Sequence, residues 1–272
     1  MTSNVLFGAT LFFYFLATAH YVLFLINQKE SIGKVAQITT IIAFAVHTLY
    51  LIYQMVYLER IPITNLRESL GFFAWAIIAN YIFLEYKVKT RVMGAFIIPL
   101  AFIALAVSLT FQVTITPLPE YFSSAWLGVH TTLAFLADAA FAIGFGVGIM
   151  YLIQDRQLKS RHIGPLYRRL PNIGLLDELS YKAIALGFPL LTLGMMTGMI
   201  WASTALHHFW SWEPKEVWSL ITWIIYASYL HMRLVAGWRG RKSAYMSVVG
   251  FLLVLFTFLG VNLLMPGYHA FK

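Results

Sequence analysis

No cysteine occurs anywhere in the 272 residues. Disulfides, thiolate metal sites and thiol redox chemistry within this chain are therefore excluded, and any thiol chemistry it serves must come from another molecule. Charge is also scarce, at 11% of residues, against roughly a quarter in ordinary soluble domains. Acids are the rarer sign, 11 against 19 Lys and Arg. No internal repeat or low-complexity stretch breaks the chain up, which argues against a solenoid or a linker-joined array and for a single integral membrane domain, 1–272. The glycine run GFGVG around Gly144, Gly146 and Gly148 lies in an apolar stretch with no strand before it, so a nucleotide-binding loop is excluded there too. Close helix contact is the expected use of those glycines.

What the chain has instead is apolar surface, 60% hydrophobic and 17% aromatic. A membrane span needs roughly 20 mostly apolar residues. Eight stretches qualify, near 4–26, 36–58, 68–86, 92–112, 127–153, 181–203, 218–236 and 244–264. The expectation is an all-α polytopic membrane protein with eight transmembrane helices. The first run has no charged leader or small-residue cleavage site and is expected to be a retained span. Fifteen of the 19 basic residues fall in loops on one side, including a basic loop at about 154–180; Arg60, Arg67, Lys215 and Lys272 fall on the other. The positive-inside rule makes the basic side cytoplasmic and puts both termini and the 204–217 loop outside, that is periplasmic. Asn65 and Glu68 mark a cap for the third span, and Ser123 and Ser124 one for the fifth.

Five of the eight tryptophans lie between Trp201 and His231. Interfacial anchoring accounts for one or two of them. The segment HHFWSWEPKEVW asks for more, since Trp210 and Trp212, two apart in an extended loop, would present both rings to one side as a flat ledge. Glu213, Lys215 and Glu216 beside it either orient a ligand bearing carboxylates or cap the following helix, as Pro214 does. Histidines fall in layers of depth. His130 and His269 lie near the outer surface. His231 is thirteen residues past Trp218, about 20 Å inward, while His47 is mid-span and His20 in the inner half of the first span. A lone intramembrane histidine is as often a hydrogen-bonded glue residue. Depth-matched pairs beside aromatic walls suit heme iron, which takes two axial imidazoles. Adjacent His207 and His208 do not share a face, which argues against a compact zinc site. A proton-coupled transporter, with Asp138 as its acid within a span, is the reading from another class.

The stretch WSWEPKEVWSLITWIIYASYLH resembles the tryptophan-rich WWD segment of the CcsA (CcsB or ResC) cytochrome c biogenesis proteins of system II. The order of His130, His231 and His269 agrees with that family, as do PITNLRESLGFFAW and FLGVNLLMPGYHAF. Leu206 and His207 stand where the family has Trp and Gly, and Glu213 where it has Asp. The resemblance implies a cofactor, heme b (iron protoporphyrin IX), bound by His130, His269, Trp210, Trp212, Glu213, Trp218, His231 and His47. His130 and His269 would be axial ligands of an external heme. His231 would serve an inner heme with His47 as second ligand, His20 being the alternative. The implied activity is heme transport and covalent attachment to the CxxCH motif of apocytochrome c, as the heme-handling subunit of a cytochrome c synthase (heme lyase) complex. A ResB/Ccs1-type partner and a bacterial cytoplasmic membrane are implied with it. The alternative is a HemX-like heme-binding regulator or chaperone without ligase activity.

Overall fold

A computed structural model describes residues 2–111, 124–161 and 163–265, and every regular element among them is helical. This follows from the hydropathy, because a backbone in hydrocarbon must satisfy its N–H and C=O groups within its own segment. The elements are α1 (Thr2–Asn27), α2 (Glu30–Leu58), α3 (Leu66–Val88), α4 (Gly94–Ser108), α5 (Ala125–Lys159), α6 (Pro165–Arg169), α7 (Ile173–Leu206), α8 (Pro214–Leu234), α9 (Arg241–Leu255), a π-helical turn Phe256–Gly260 and α10 (Val261–Leu264). Six of the helical segments, α1, α2, α3, α5, α7 and the one running from Arg241 to Leu264, are long and apolar enough to cross a membrane. The chain is thus a multi-pass, all-α membrane protein. α4 has 15 residues with Pro99 inside it, and α8 carries Lys215 and Glu216 at one end and His231 and Arg233 at the other.

Both polar connections are shorter than expected from composition. The basic stretch 154–180 is helix at each end, since α5 runs on to Lys159 and α7 begins at Ile173. Amphipathic turns at the membrane surface continue a helix as readily as they end it, so polarity alone misplaced these boundaries. The tryptophan-rich connection is likewise reduced to residues 207–213.

The helices group into two compact units. One comprises α1–α4 with residues 153–173; the other comprises α5 up to residue 152 and the chain from 174 onward. In the first, Asn65 caps α3 by accepting from the Glu68 amide at 2.9 Å, as the sequence suggested. Glu68 in turn takes both guanidinium nitrogens of Arg60, at 2.8 and 3.0 Å. Deeper in, Tyr14 Oη pairs with His47 Nδ1 at 2.8 Å, and Trp75 donates to Thr48 at 2.9 Å. Tyr21 donates to Glu85 at 2.6 Å. Glu85 is a buried acid that the sequence reading left out.

In the second unit Gly144 and Gly148 of α5 make the close helix contacts expected of them. A Cβ on Gly144 would sit 3.3 Å from Ile184 and Ser247, and one on Gly148 3.3 Å from the Ala244 carbonyl. Phe141 and Tyr226 stack with ring centroids 3.7 Å apart. At the opposite end from the tryptophans, Asp177 receives Arg233 through both oxygens at 2.8 Å and the Gly240 amide at 2.7 Å. That clasp ties α7, α8 and the turn before α9.

Candidate functional site: an aromatic cavity around His130

Ser124 opens α5, its hydroxyl accepting from the Trp126 amide at 3.3 Å, and the helix then presents His130 in its second turn. His130 Nδ1 lies 2.7 Å from the carbonyl of Gly194 on α7. A carbonyl only accepts, so Nδ1 carries the proton and, in the neutral ring, the lone pair resides on Nε2. The same carbonyl also accepts from Thr197 Oγ1 at 2.9 Å. This approach is possible because α7 has glycine at 194 and 198. A Cβ on Gly194 would sit 3.3 Å from the Ala134 backbone nitrogen, and one on Gly198 only 2.8 Å from His130 Nδ1 and 2.9 Å from Cε1. The sequence reading passed over this pair, although the small-xxx-small spacing GMMTG is itself a helix-contact signal.

A cavity of about 90 Å³ opens beside His130. Its walls are apolar and aromatic, with Met195, Met199, Trp201, Phe209 and Trp210, and its charged members are Lys215 and Glu216. Trp201 is buried in a cluster with Leu127 and Ala202, against which Leu206 packs. Glu216, in the first turn of α8, accepts from the Ser211 amide at 2.8 Å and from its hydroxyl at 3.1 Å. That backward reach, two residues beyond the N-cap Glu213, folds the tryptophan loop onto α8. Lys215, half-buried in the first turn of α8, reaches the same cavity.

The family profile described as "Cytochrome C assembly protein" matches residues 63–269, which includes every part of this cavity. The chain belongs to the cytochrome c assembly protein family. Relatives named "Cytochrome c biogenesis protein CcsA" agree with it along most of their length. The one from Trieres chinensis is 32% identical over 306 residues, covering 100% of this chain and 96% of its own. That from Pyropia yezoensis is 37% identical over 250 residues (77% and 78%), and that from Microcystis aeruginosa 35% over 259 (77% and 79%). Among solved structures, "Cytochrome c Heme Lyase CcmF" superposes with a TM-score of 0.67 at 17% identity, over 94% of this chain and 46% of that one. That likeness is one of fold, and this chain spans under half the length of that protein.

In this family member the two ledge tryptophans do meet, with ring centroids 5.9 Å apart, but their planes are at 83°. The expected flat ledge is corrected to an edge-to-face pair. Trp212 adopts a left-handed backbone, φ 58°, which breaks the extended geometry that would align alternate side chains. Trp212 is 72% exposed, while Trp210 lines the cavity. His207 is also left-handed, φ 61°, one residue past the end of α7. A left-handed residue after a helix is the position glycine fills best, which gives a physical reason for the glycine that the resemblance expects there. Glu213 is the N-cap residue of α8 and makes no side-chain cap bond. Trp218, one turn into α8, packs edge-on against Phe256 of the π-helical turn at 4.6 Å, and its carbonyl accepts from Thr222 at 2.8 Å.

The structure thus brings His130, Trp210, Lys215 and Glu216 to one cavity, with Trp212 against Trp210. His269 lies outside the described residues. His231 is in the last turn of α8 with its side chain exposed, two residues before the Arg233 clasp. His47 is fully buried in the other unit, its Nδ1 held by Tyr14 and its Nε2 without a hydrogen-bond partner among the described residues. His20 on α1 is half-buried. Among the described residues no group of three or more His, Asp or Glu converges on one point. The donor set at the cavity is therefore a single oriented imidazole within an aromatic wall. It fits a porphyrin iron, which asks one axial nitrogen of each face.

Proposed function

We propose that this protein handles heme for cytochrome c maturation, presenting it at the His130 cavity on the external side and attaching it to the CxxCH motif of apocytochrome c. The observation that carries this reading is the Nδ1–H bond from His130 to the Gly194 carbonyl. It fixes the tautomer that leaves Nε2 as the iron-binding nitrogen, as outer-shell partners of metal-bound histidines do. His269 is the proposed second axial ligand. Trp201, Phe209 and Trp210 wall the cavity with apolar surface, Trp212 extends that surface outward, and Glu213 and Trp218 at the start of α8 complete the proposed heme-binding set. When bound, heme supplies the vinyl groups to which cysteine thiols of the apocytochrome add. The residues of this chain contribute position and orientation, which suffices where the reacting thiols belong to the substrate.

In this reading the 272 residues form one integral membrane domain with eight transmembrane helices. α4 and α8 cross with the six longer ones, and both termini and the tryptophan loop are periplasmic in a bacterial cytoplasmic membrane. α4 alone rises about 22 Å at 1.5 Å per residue, short of a hydrocarbon core of about 30 Å, so flanking turns complete its crossing. His231 and His47, with His20 as the alternative to His47, are the histidines proposed for handling heme on the inner side. A ResB/Ccs1-type membrane subunit and apocytochrome c are the proposed partners.

Purified protein from heme-replete membranes should show the reduced spectrum of low-spin bis-histidine heme. A His130→Ala, His269→Ala double variant should lose or alter it. A colourless wild-type protein would refute the heme reading. The HemX-like reading is kept open by one feature: left-handed His207 and exposed Trp212 sit in the segment that departs most from the family pattern. Co-expression with the partner subunit and a CxxCH substrate separates the two, since a synthase yields covalent heme and a regulator does not.

A further inference from the structure

The last described span is not one regular helix. α9 ends at Leu255, a π-helical turn runs from Phe256 to Gly260, closed by the Val261 amide on the Phe256 carbonyl five residues back, and α10 resumes at Val261. Single π turns inside α-helices are rare and gather at functional sites. This one lies where the motif FLGVNLLMPGYHAF begins, at Phe258. Successive residues of the turn face the two helices that build the cavity. Phe256 packs edge-on against Trp218 of α8 with ring centroids 4.6 Å apart, and Phe258 meets Phe135 of α5 edge-on at 5.6 Å. Between them, Thr257 Oγ1 reaches the Trp218 carbonyl at 3.4 Å and the Thr222 hydroxyl at 3.2 Å. Gly260 leaves the room this needs, since a Cβ there would be 2.6 Å from Cδ2 of the Phe256 ring. Asn262 fastens the turn by donating through Nδ2 to the Phe258 carbonyl, while its Oδ1 is buried with no hydrogen-bond partner among the described residues. A half-satisfied buried amide costs stability; the bond to the turn is what it contributes.

We propose that Phe256 and Gly260 are positioning residues of the outer site, the π-helical turn setting the indole of Trp218 for the heme. The inference rests on the outer cavity being a heme site and adds what holds one of its aromatic groups. Trp218 stands one residue before Ser219, which lines the cavity. The turn takes hold of it twice, at the ring through Phe256 and at the carbonyl through Thr257. Edge-to-face contact is directional, because the positive edge of one ring meets the negative face of the other. It therefore fixes the plane of the indole as well as its place. A leucine at position 256 would occupy the space without setting that plane, and a side chain at position 260 would push the Phe256 ring out of contact.

The test uses full-length protein in detergent, titrated with ferric protoporphyrin IX in a His231→Ala background so that binding reports the outer site. The protein carries fluorotryptophan, and the fluorine resonance of Trp218 is identified by its loss in Trp218→Phe. Phe256→Leu should shift that resonance and weaken heme binding by about 2–10-fold, the worth of one aromatic pair. Phe256→Tyr, which keeps the ring, should bind heme as the parent does. Phe251→Leu, at a buried ring of α9 away from Trp218, is the control. It should lower the thermal midpoint and leave heme affinity unchanged. The proposal is overturned if Phe256→Leu weakens binding no more than Phe251→Leu, or if Phe256→Tyr is as weak as Phe256→Leu. Should Phe256→Leu fail to fold, Gly260→Ala decides, since its methyl displaces the Phe256 ring: weakened binding supports the proposal and parental affinity overturns it. Failure of the underlying heme reading looks different. There, the parent binds no heme, or binds it unchanged after His130→Ala, while the Trp218 resonance still moves in Phe256→Leu.

Discussion

Gly198→Ala adds one methyl group, and the structure says where it lands. The new Cβ would be 2.8 Å from His130 Nδ1 and 2.9 Å from Cε1, well inside van der Waals contact. The atoms that the methyl group meets all belong to the imidazole, so the imidazole is what moves, and its 2.7 Å bond to the Gly194 carbonyl is what is lost. Stability should fall by about 1–3 kcal/mol net. Losing one hydrogen bond costs about 1 kcal/mol and overpacking about 1–3 kcal/mol, while replacing glycine by alanine within a helix returns about 1 kcal/mol. Heme affinity should suffer more, since losing an outer-shell partner of a metal-bound histidine typically costs about 10–100-fold. The assay is a heme titration of purified protein read at the low-spin absorption bands, beside a thermal unfolding curve. Gly71→Ala is the control, because nothing lies within 4 Å of a Cβ there. A Gly198→Ala protein with wild-type affinity and an unchanged spectrum would refute the claim that this hydrogen bond orients the iron ligand.

Other outcomes follow from the same geometry. His207→Gly relieves a left-handed φ of 61° and should stabilise the protein by about 1 kcal/mol, measured by thermal or denaturant unfolding, and a loss of stability would contradict the assigned backbone. Arg233→Met removes one partner of the Asp177 clasp and leaves a largely buried carboxylate. The expected loss is about 2–4 kcal/mol, and Asp177→Asn together with Arg233→Met should recover part of it.

The sequence by itself determined what depends on sums along the chain. Long apolar runs made helices, because lipid leaves the backbone no other partner, and the charge asymmetry set an expected orientation. Asn65, Ser124 and Pro214 marked helix starts because capping is local chemistry. Gly144 and Gly148 announced close packing. The tertiary structure decided what depends on where helices meet. The tautomer of His130 is set by a carbonyl 64 residues away on α7. Trp210 and Lys215 come to line one cavity where Ser211 is drawn back onto Glu216. Trp210 and Trp212 were legible as neighbours but not as a perpendicular pair, since one left-handed residue reverses a prediction that assumes an extended backbone. Alternation and hydropathy report which side chains share a surface; the direction of a ring or a lone pair is fixed by the contacts that surface makes.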